Sequence, residues 1–168
     1  SKFYVVATPI GNMGDITLLA IETLKEVNLI LCEDTRETKK ILQKYNINTP
    51  TMSYHTQSKL AKIDKIFELL AEEKNLALVS DAGTPTISDP GAMLISQIKE
   101  RFNMSTNSAI AENVNTKVEV IPIPGASAVI TALSASGLPT HEFTFLWFLP
   151  HKKGRETLLG KLLNQNGL

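Results

Sequence analysis

Short uninterrupted apolar runs alternate along this chain with longer stretches in which apolar residues recur every three or four positions. Phe3 to Ala7 is a run of the first kind, and Asn28 to Cys32, Leu76 to Ser80 and Val118 to Ile121 come close to it, broken only by Asn28, Ser80 and Glu119. They predict strands buried on both faces. Ile16, Leu19, Ala20, Leu24 and Val27 keep one face of a helix, with Asp15 placed to cap it. The same spacing returns at Thr38, Ile41, Leu42 and Tyr45 within Arg36 to Tyr45, and at Ile63, Ile66, Phe67 and Leu70 within Lys59 to Glu73. Further on, Ser127 to Ser136 predicts a helix of small residues, Phe143 to Leu149 a strand, and the last residues a partial helix.

Buried strands alternating with amphipathic helices call for an α/β fold, a mostly parallel sheet flanked by helices. Residues 1–121 are expected to form that domain. Residues 122–168 then supply a linker helix and the start of a second α/β domain. Roughly thirty residues cannot build a second two-layer core, so the chain reads as truncated there, or as completed by another chain. The stretch from Arg101 to Lys117, dense in Asn, Ser and Thr, reads as an exposed loop or a short extra helix.

Ligands of parallel sheets sit beyond the carboxyl ends of the strands. That rule directs attention to Thr8 to Asp15, Glu33 to Glu37, Asp81 to Gly91 and Pro122 to Ala128. The first loop, TPIGNMGD, carries two glycines and a proline but fits neither the dinucleotide fingerprint nor the P-loop. In CEDTRETKK, Asp34 suits a helix cap or a pairing with Arg36, and the Arg36 guanidinium suits a phosphate or carboxylate. His55, in SYHTQSK, is a candidate for proton transfer. VSDAGTPTISDPG is longer than the usual connector of about 2–6 residues. Its two acids and its hydroxyls suggest a shaped pocket for a polar ligand. IPIPGASAV offers backbone amides at a helix start, with Ser127 as a plain cap. It lacks the surroundings of a nucleophilic serine.

Composition narrows these options. At 43% hydrophobic and 20% charged, the chain is ordinary for a globular protein, and no apolar run approaches membrane-spanning length. The opening SKFYVVATPIGN lacks a signal-like basic head and apolar stretch, so a cytoplasmic location is expected. A single cysteine, Cys32, precludes an internal disulfide and suits core filling. His55, His141 and His151 lack metal-ligand spacing, and no metal is expected. Lysine and arginine number 17 against 17 acids. Any nucleic acid must therefore be held by a local patch, for which His151 to Arg155 is a candidate.

Taken in order, ATPIGNMGDITLLAIETLKEVNLILCEDTRETKKIL, SYH, ALVSDAGTPTISDPG, VIPIPGASAVITALSASGLPT and FTFLWFLPHKKG resemble the tetrapyrrole-methylase superfamily, and within it the 2′-O-methyltransferases of small-subunit ribosomal RNA. The resemblance covers nearly the whole chain. It implies two α/β domains, S-adenosylmethionine bound between them, a cytidine ribose of ribosomal RNA as acceptor and a homodimer. The neutral charge adds the expectation that the assembled ribosomal subunit supplies more of the recognition than naked RNA. The resemblance also makes Thr8 to Gly14 the first cofactor-side loop. Gly83-Thr84-Pro85 stands where the family has Gly-Asp-Pro. By that matching Pro9, Thr84, Ile87, Ser88, Ser127 and Ala128 line the cofactor pocket, and Asp81 and Gly83 shape it. Asp34, Arg36 and His55 are the candidates on the acceptor side.

Three features depart from the family pattern. The polar stretch Asn103 to Lys117 is long, the histidine region is less acidic than expected, and the chain ends where the second domain has just begun. Contacts from that domain are expected to be missing. The competing expectations are methylation of a tetrapyrrole or corrinoid precursor, and a non-catalytic cofactor-binding or dimerising module.

Overall fold

A computed structural model of the chain describes residues 1–55, 60–87, 91–103, 116–146, 148–151 and 154–163. Among these, β1 (Lys2–Val6), β2 (Leu29–Cys32), β3 (Thr51–Ser53), β4 (Leu76–Leu78) and β5 (Glu119–Ile123) form one sheet in the order β3-β2-β4-β1-β5. Every pairing is parallel. The helices are α1 (Leu18–Glu26), α2 (Thr35–Lys44), α3 (Leu60–Ala71), α4 (Gly91–Asn103), α5 (Ala128–Ala135) and α6 (Arg155–Leu163). No described helix is long and apolar enough to cross a membrane.

The central strands β2 and β4 are apolar because both sheet faces are covered there, whereas β3 and β5 at the edges are only partly buried. Leu76 and Leu78 of β4 enter one core layer, while Ala77 and the following Val79 enter the other. On β1, Phe3 and Val5 point one way and Val6 the other. The crossovers β1 to β2 and β2 to β3 step toward one edge, and those from β3 and β4 step back. With a single crossover hand, reversing the step puts the helices on the opposite face. Accordingly, buried residues of α1 and α2 share one layer, and those of α3 and α4 the other. Full burial of side chains such as Phe3, Leu70, Leu76 and Leu94 stabilises the fold by about 1.5–3 kcal/mol each. Pro122, which lacks an amide proton, falls in β5 at the sheet edge, where fewer ladder donors are required.

Some local expectations are corrected. Asp15 does not cap α1. It closes a single 3-10 turn, Met13–Asp15, and Thr17 caps the helix by accepting from the Ala20 amide at 3.1 Å. Leu19 is half exposed, and Thr23 takes the buried place beside Ala20 and Leu24. The described part of Phe143 to Leu149 forms no strand. A strand needs a ladder partner, and its unit contains none among its described residues. Strand β3 and helix α4 were not anticipated. Arg101 to Asn103 complete α4, and residues 104–115 of the polar stretch lie outside the described residues.

Contacts divide the chain into Ser1–Ser127 and Ala128–Leu168. The first unit holds the sheet with α1 to α4, and the second holds α5 and α6.

Candidate functional site

At the carboxyl ends of β1 and β4 the two following loops are joined. The Thr8 amide donates to the Gly83 carbonyl at 2.9 Å, and the Gly83 amide returns a bond to the Thr8 carbonyl at 3.1 Å. The buried Thr8 hydroxyl donates to the Ser80 carbonyl at 3.0 Å, and the Ser80 hydroxyl to the Gly83 carbonyl at 3.2 Å. Gly83 adopts φ +80°, a left-handed conformation suited to glycine, and a Cβ there would stand 3.3 Å from Ile10 Cγ2. The third loop joins through Thr84, whose hydroxyl donates to the Ala126 carbonyl at 3.4 Å. Gly125 lets β5 close on β1, since a Cβ at that position would stand 2.8 Å from Ala7 Cβ. Thr86, with φ +75°, adds backbone strain to the same loop.

Two clefts open on this frame. The first, of about 330 Å³, is lined by Pro9, Ile10, Gly11, Met13, Glu37, Ile41, Asp81 and Ala82. The Tyr45 hydroxyl, at the end of α2, donates a short hydrogen bond to the Met13 carbonyl and steadies its rim. The second, of about 380 Å³, is lined by Glu33, Asp34, Thr35, Arg36, Ser53, His55 and Asp81. Asp81 borders both. A larger hollow of about 580 Å³, formed by Ser1, Lys2, Glu73, Asn75, Lys117 and Glu119, lies at the opposite end of the strands. Parallel sheets do not place their ligands at that end.

In the second cleft, Asp34 caps α2 by accepting from the Arg36 amide at 2.8 Å, and its carboxylate holds the Arg36 guanidinium at 2.6 Å. The side-chain and backbone bonds from Arg36 lower the Asp34 pKa to about 2. The Asp34 amide donates to Asp81 Oδ1 at 3.1 Å. From α3, Lys62 reaches the Ser53 carbonyl and hydroxyl at 2.9 and 2.7 Å, fixing the end of β3. Below lies Cys32, fully buried, its thiol pKa raised chiefly by burial. It fills the core as expected.

The structure therefore brings Asp34, Arg36 and His55 into one cleft. Of the expected cofactor residues that are described, only Pro9 and Asp81 line the first cleft, and Gly83 packs behind Ile10. Thr84 ties the loop to Ala126, and Ile87 is exposed. Ser127 ends the first unit and Ala128 opens α5. Ser88 lies outside the described residues. Ile10 and Met13 fall within the expected cofactor-side loop Thr8 to Gly14, whereas Glu37, Ile41 and Ala82 as lining residues, and Lys62 as support, were missed. The signal for Glu37 and Ile41 was their shared spacing on α2, one turn beyond the cap.

The first cleft has the size and lining of a small-ligand pocket. Its volume is at the lower end of the range for ligand pockets, about 300–1,000 Å³. Pro9, Ile10, Met13 and Ile41 offer an apolar wall to a base, and Glu37 and Asp81 offer carboxylates to a cationic or hydroxyl-bearing group.

Comparison with known proteins adds to this geometry. A family model described as Tetrapyrrole (Corrin/Porphyrin) Methylases matches residues 2–167. The chain is 48% identical over 151 residues to the ribosomal RNA small subunit methyltransferase I of Halalkalibacterium halodurans, covering 89% of this chain and 47% of that protein. Against the protein of the same name from Synechocystis it is 46% identical, covering 96% and 53%. For that of Thermotoga maritima the identity is 42%, covering 98% and 68%. The chain thus spans about half the length of the first two relatives. Among solved structures, uroporphyrin-III-C-methyltransferase from Thermus thermophilus aligns with a TM-score of 0.52 at 19% identity, over 84% of this chain and 54% of that one. A diphthine synthase aligns with a TM-score of 0.52 at 18% identity, over 86% and 52%. Those two likenesses concern the fold alone.

Proposed function

The chain belongs to the tetrapyrrole methylase family, and from that premise we propose that it forms the cofactor-binding part of a methyltransferase acting on ribosomal RNA. The reaction is methylation of the ribose 2′-oxygen of a cytidine in small-subunit RNA, with S-adenosylmethionine as donor. Identities of 42–48% to relatives named for small-subunit ribosomal RNA methylation carry the substrate class. The observation that carries the mechanism is the pair of clefts meeting at Asp81.

When bound, S-adenosylmethionine supplies a methyl group activated on a sulfonium, so the protein's task is alignment and exclusion of water. Ile10, Met13 and Ile41 hold its adenine. Pro9, Gly83, Thr84 and Ile87 form or support the loops around it, and Ser88, Ser127 and Ala128 are added by the resemblance to the family alone. On the acceptor side, Arg36 holds an RNA phosphate at the rim, Asp34 orients Arg36, and His55 contacts the nucleotide. The neutral chain relies on the assembled subunit for much of its recognition, works in the cytoplasm, and pairs as a homodimer.

The test is transfer of labelled methyl from S-adenosylmethionine to small ribosomal subunits, followed by mapping of the modified nucleotide. Label on a single cytidine ribose supports the reading. Label on a base, or transfer to a tetrapyrrole precursor in place of RNA, overturns it.

A further inference from the structure

We infer that Asp81 holds the acceptor hydroxyl, and thereby makes the site selective for ribose over deoxyribose. The inference rests on the acceptor cleft proposed above and adds the chemistry of its occupant. Asp81 is the one residue lining both clefts among the described residues. An acceptor in one and a methyl donor in the other must therefore meet beside its carboxylate.

The carboxylate is placed before any ligand arrives. Its Oδ1 accepts the Asp34 amide at 3.1 Å. Its backbone follows Ser80, whose carbonyl is held by the buried Thr8 hydroxyl and whose own hydroxyl is tied to Gly83. No described group donates to Oδ2. A carboxylate fixed through one oxygen leaves the other to accept a hydroxyl, and orientation of this kind favours transfer in a preorganised site.

The surroundings select a hydroxyl rather than an anion at this point. Glu33, Asp34 and Asp81 put three acids in the cleft, while Arg36, the side chain proposed to hold a phosphate at the rim, pairs with Asp34 at 2.6 Å and not with Asp81. Like charges disfavour a phosphate next to Asp81. A sugar hydroxyl, a neutral donor, gains a charge-assisted bond there.

The Asp34 amide reports on Asp81 directly, because its proton points at Oδ1. The chain is titrated with cytidine 5′-monophosphate and with its 2′-deoxy analogue while that amide is followed by nitrogen–proton correlation spectra. The ribonucleotide is expected to shift the Asp34 amide saturably and to bind at least about tenfold more tightly than the deoxy analogue, as expected for a lost bond to a charged group. In Asp81→Asn, whose amide oxygen can still accept from Asp34 and so keep the fold, that discrimination is expected to fall below about twofold. Equal binding of the two nucleotides by the wild-type chain overturns the inference. So does binding of neither, or discrimination that survives in Asp81→Asn. S-adenosylhomocysteine is titrated in parallel. Its failure to bind while the ribonucleotide is discriminated counts against the methyltransferase reading and leaves the hydroxyl site standing.

Discussion

Thr8 and Gly83 exchange both backbone hydrogen bonds, at 2.9 and 3.1 Å, and so lock the loop after β1 to the loop after β4. These loops lead to helices on opposite faces of the sheet. Left unjoined, they would diverge at the point where the first cleft opens. The joint requires a left-handed residue at position 83, and glycine supplies it without a Cβ pressing on Ile10.

Gly83→Ala is therefore expected to destabilise the chain by about 1–2 kcal/mol, the cost of a left-handed non-glycine residue. It should also weaken cofactor binding, because Ile10 must yield. Urea denaturation measures the first effect and calorimetry the second.

At the β1–β5 contact, the Cβ introduced by Gly125→Ala would stand 2.8 Å from Ala7 Cβ. Overpacking of this kind costs about 1–3 kcal/mol. Removing the opposing methyl in Ala7→Gly/Gly125→Ala should recover most of that loss relative to Ala7→Gly alone. A double-mutant cycle read by chemical denaturation gives the coupling directly.

Arg36 holds the Asp34 pKa down from 3.8 to about 2. The folded-state pKa lies below the unfolded value, so the pair's contribution to stability is present above about pH 4 and is lost as pH falls toward 2. In Arg36→Met the Asp34 carboxyl should titrate higher, though still below its ordinary value because the backbone amides of residues 36 and 37 continue to donate to it, and the matching part of the acid limb of stability should disappear. Carbon-13 titration of the Asp34 carboxyl and acid denaturation check both halves.

Glu73 adopts φ +61° just past α3, where the Lys74 amide bonds back to Leu69 and the Glu73 amide to Leu70. This is a Schellman end, where glycine is favoured. Glu73→Gly should stabilise the chain by about 0.5–1 kcal/mol, after the greater entropy of glycine in the unfolded chain is set against the relieved strain. The thermal midpoint should rise.

Strands β1, β2 and β4 were legible because burial on both faces leaves a nearly continuous apolar run, and β5, partly buried at the edge, from the β-branched residues around Glu119. Helices α2 and α3 were legible because one-sided burial leaves a period. Strand β3 was not, since Thr51–Ser53 is half buried and short. Helix α4 carried a signal in Leu94 and Ile98, both fully buried one turn apart, but turn-formers before it and polar residues after it hid its limits. The Asp34 cap was readable because it acts on the amide two residues on. Tyr45 with Met13, Lys62 with Ser53 and Thr84 with Ala126 were not, because each pair meets only once the crossovers have folded. The acceptor candidates could be found from their position after strands. The lining of the first cleft came from two loops and the side of α2, which no single motif contains.

The central claim, a methyl-donor cleft between the first loop, the β4 loop and α2, is tested most directly by calorimetric titration with S-adenosylhomocysteine. The wild-type chain is compared with Ala82→Trp, which places an indole in that cleft from an exposed position. Saturable binding by the wild-type chain, weakened at least about tenfold (1.4 kcal/mol) in the variant, is the predicted result. Absence of binding by the folded wild-type chain, or undiminished binding by a folded Ala82→Trp, would contradict it.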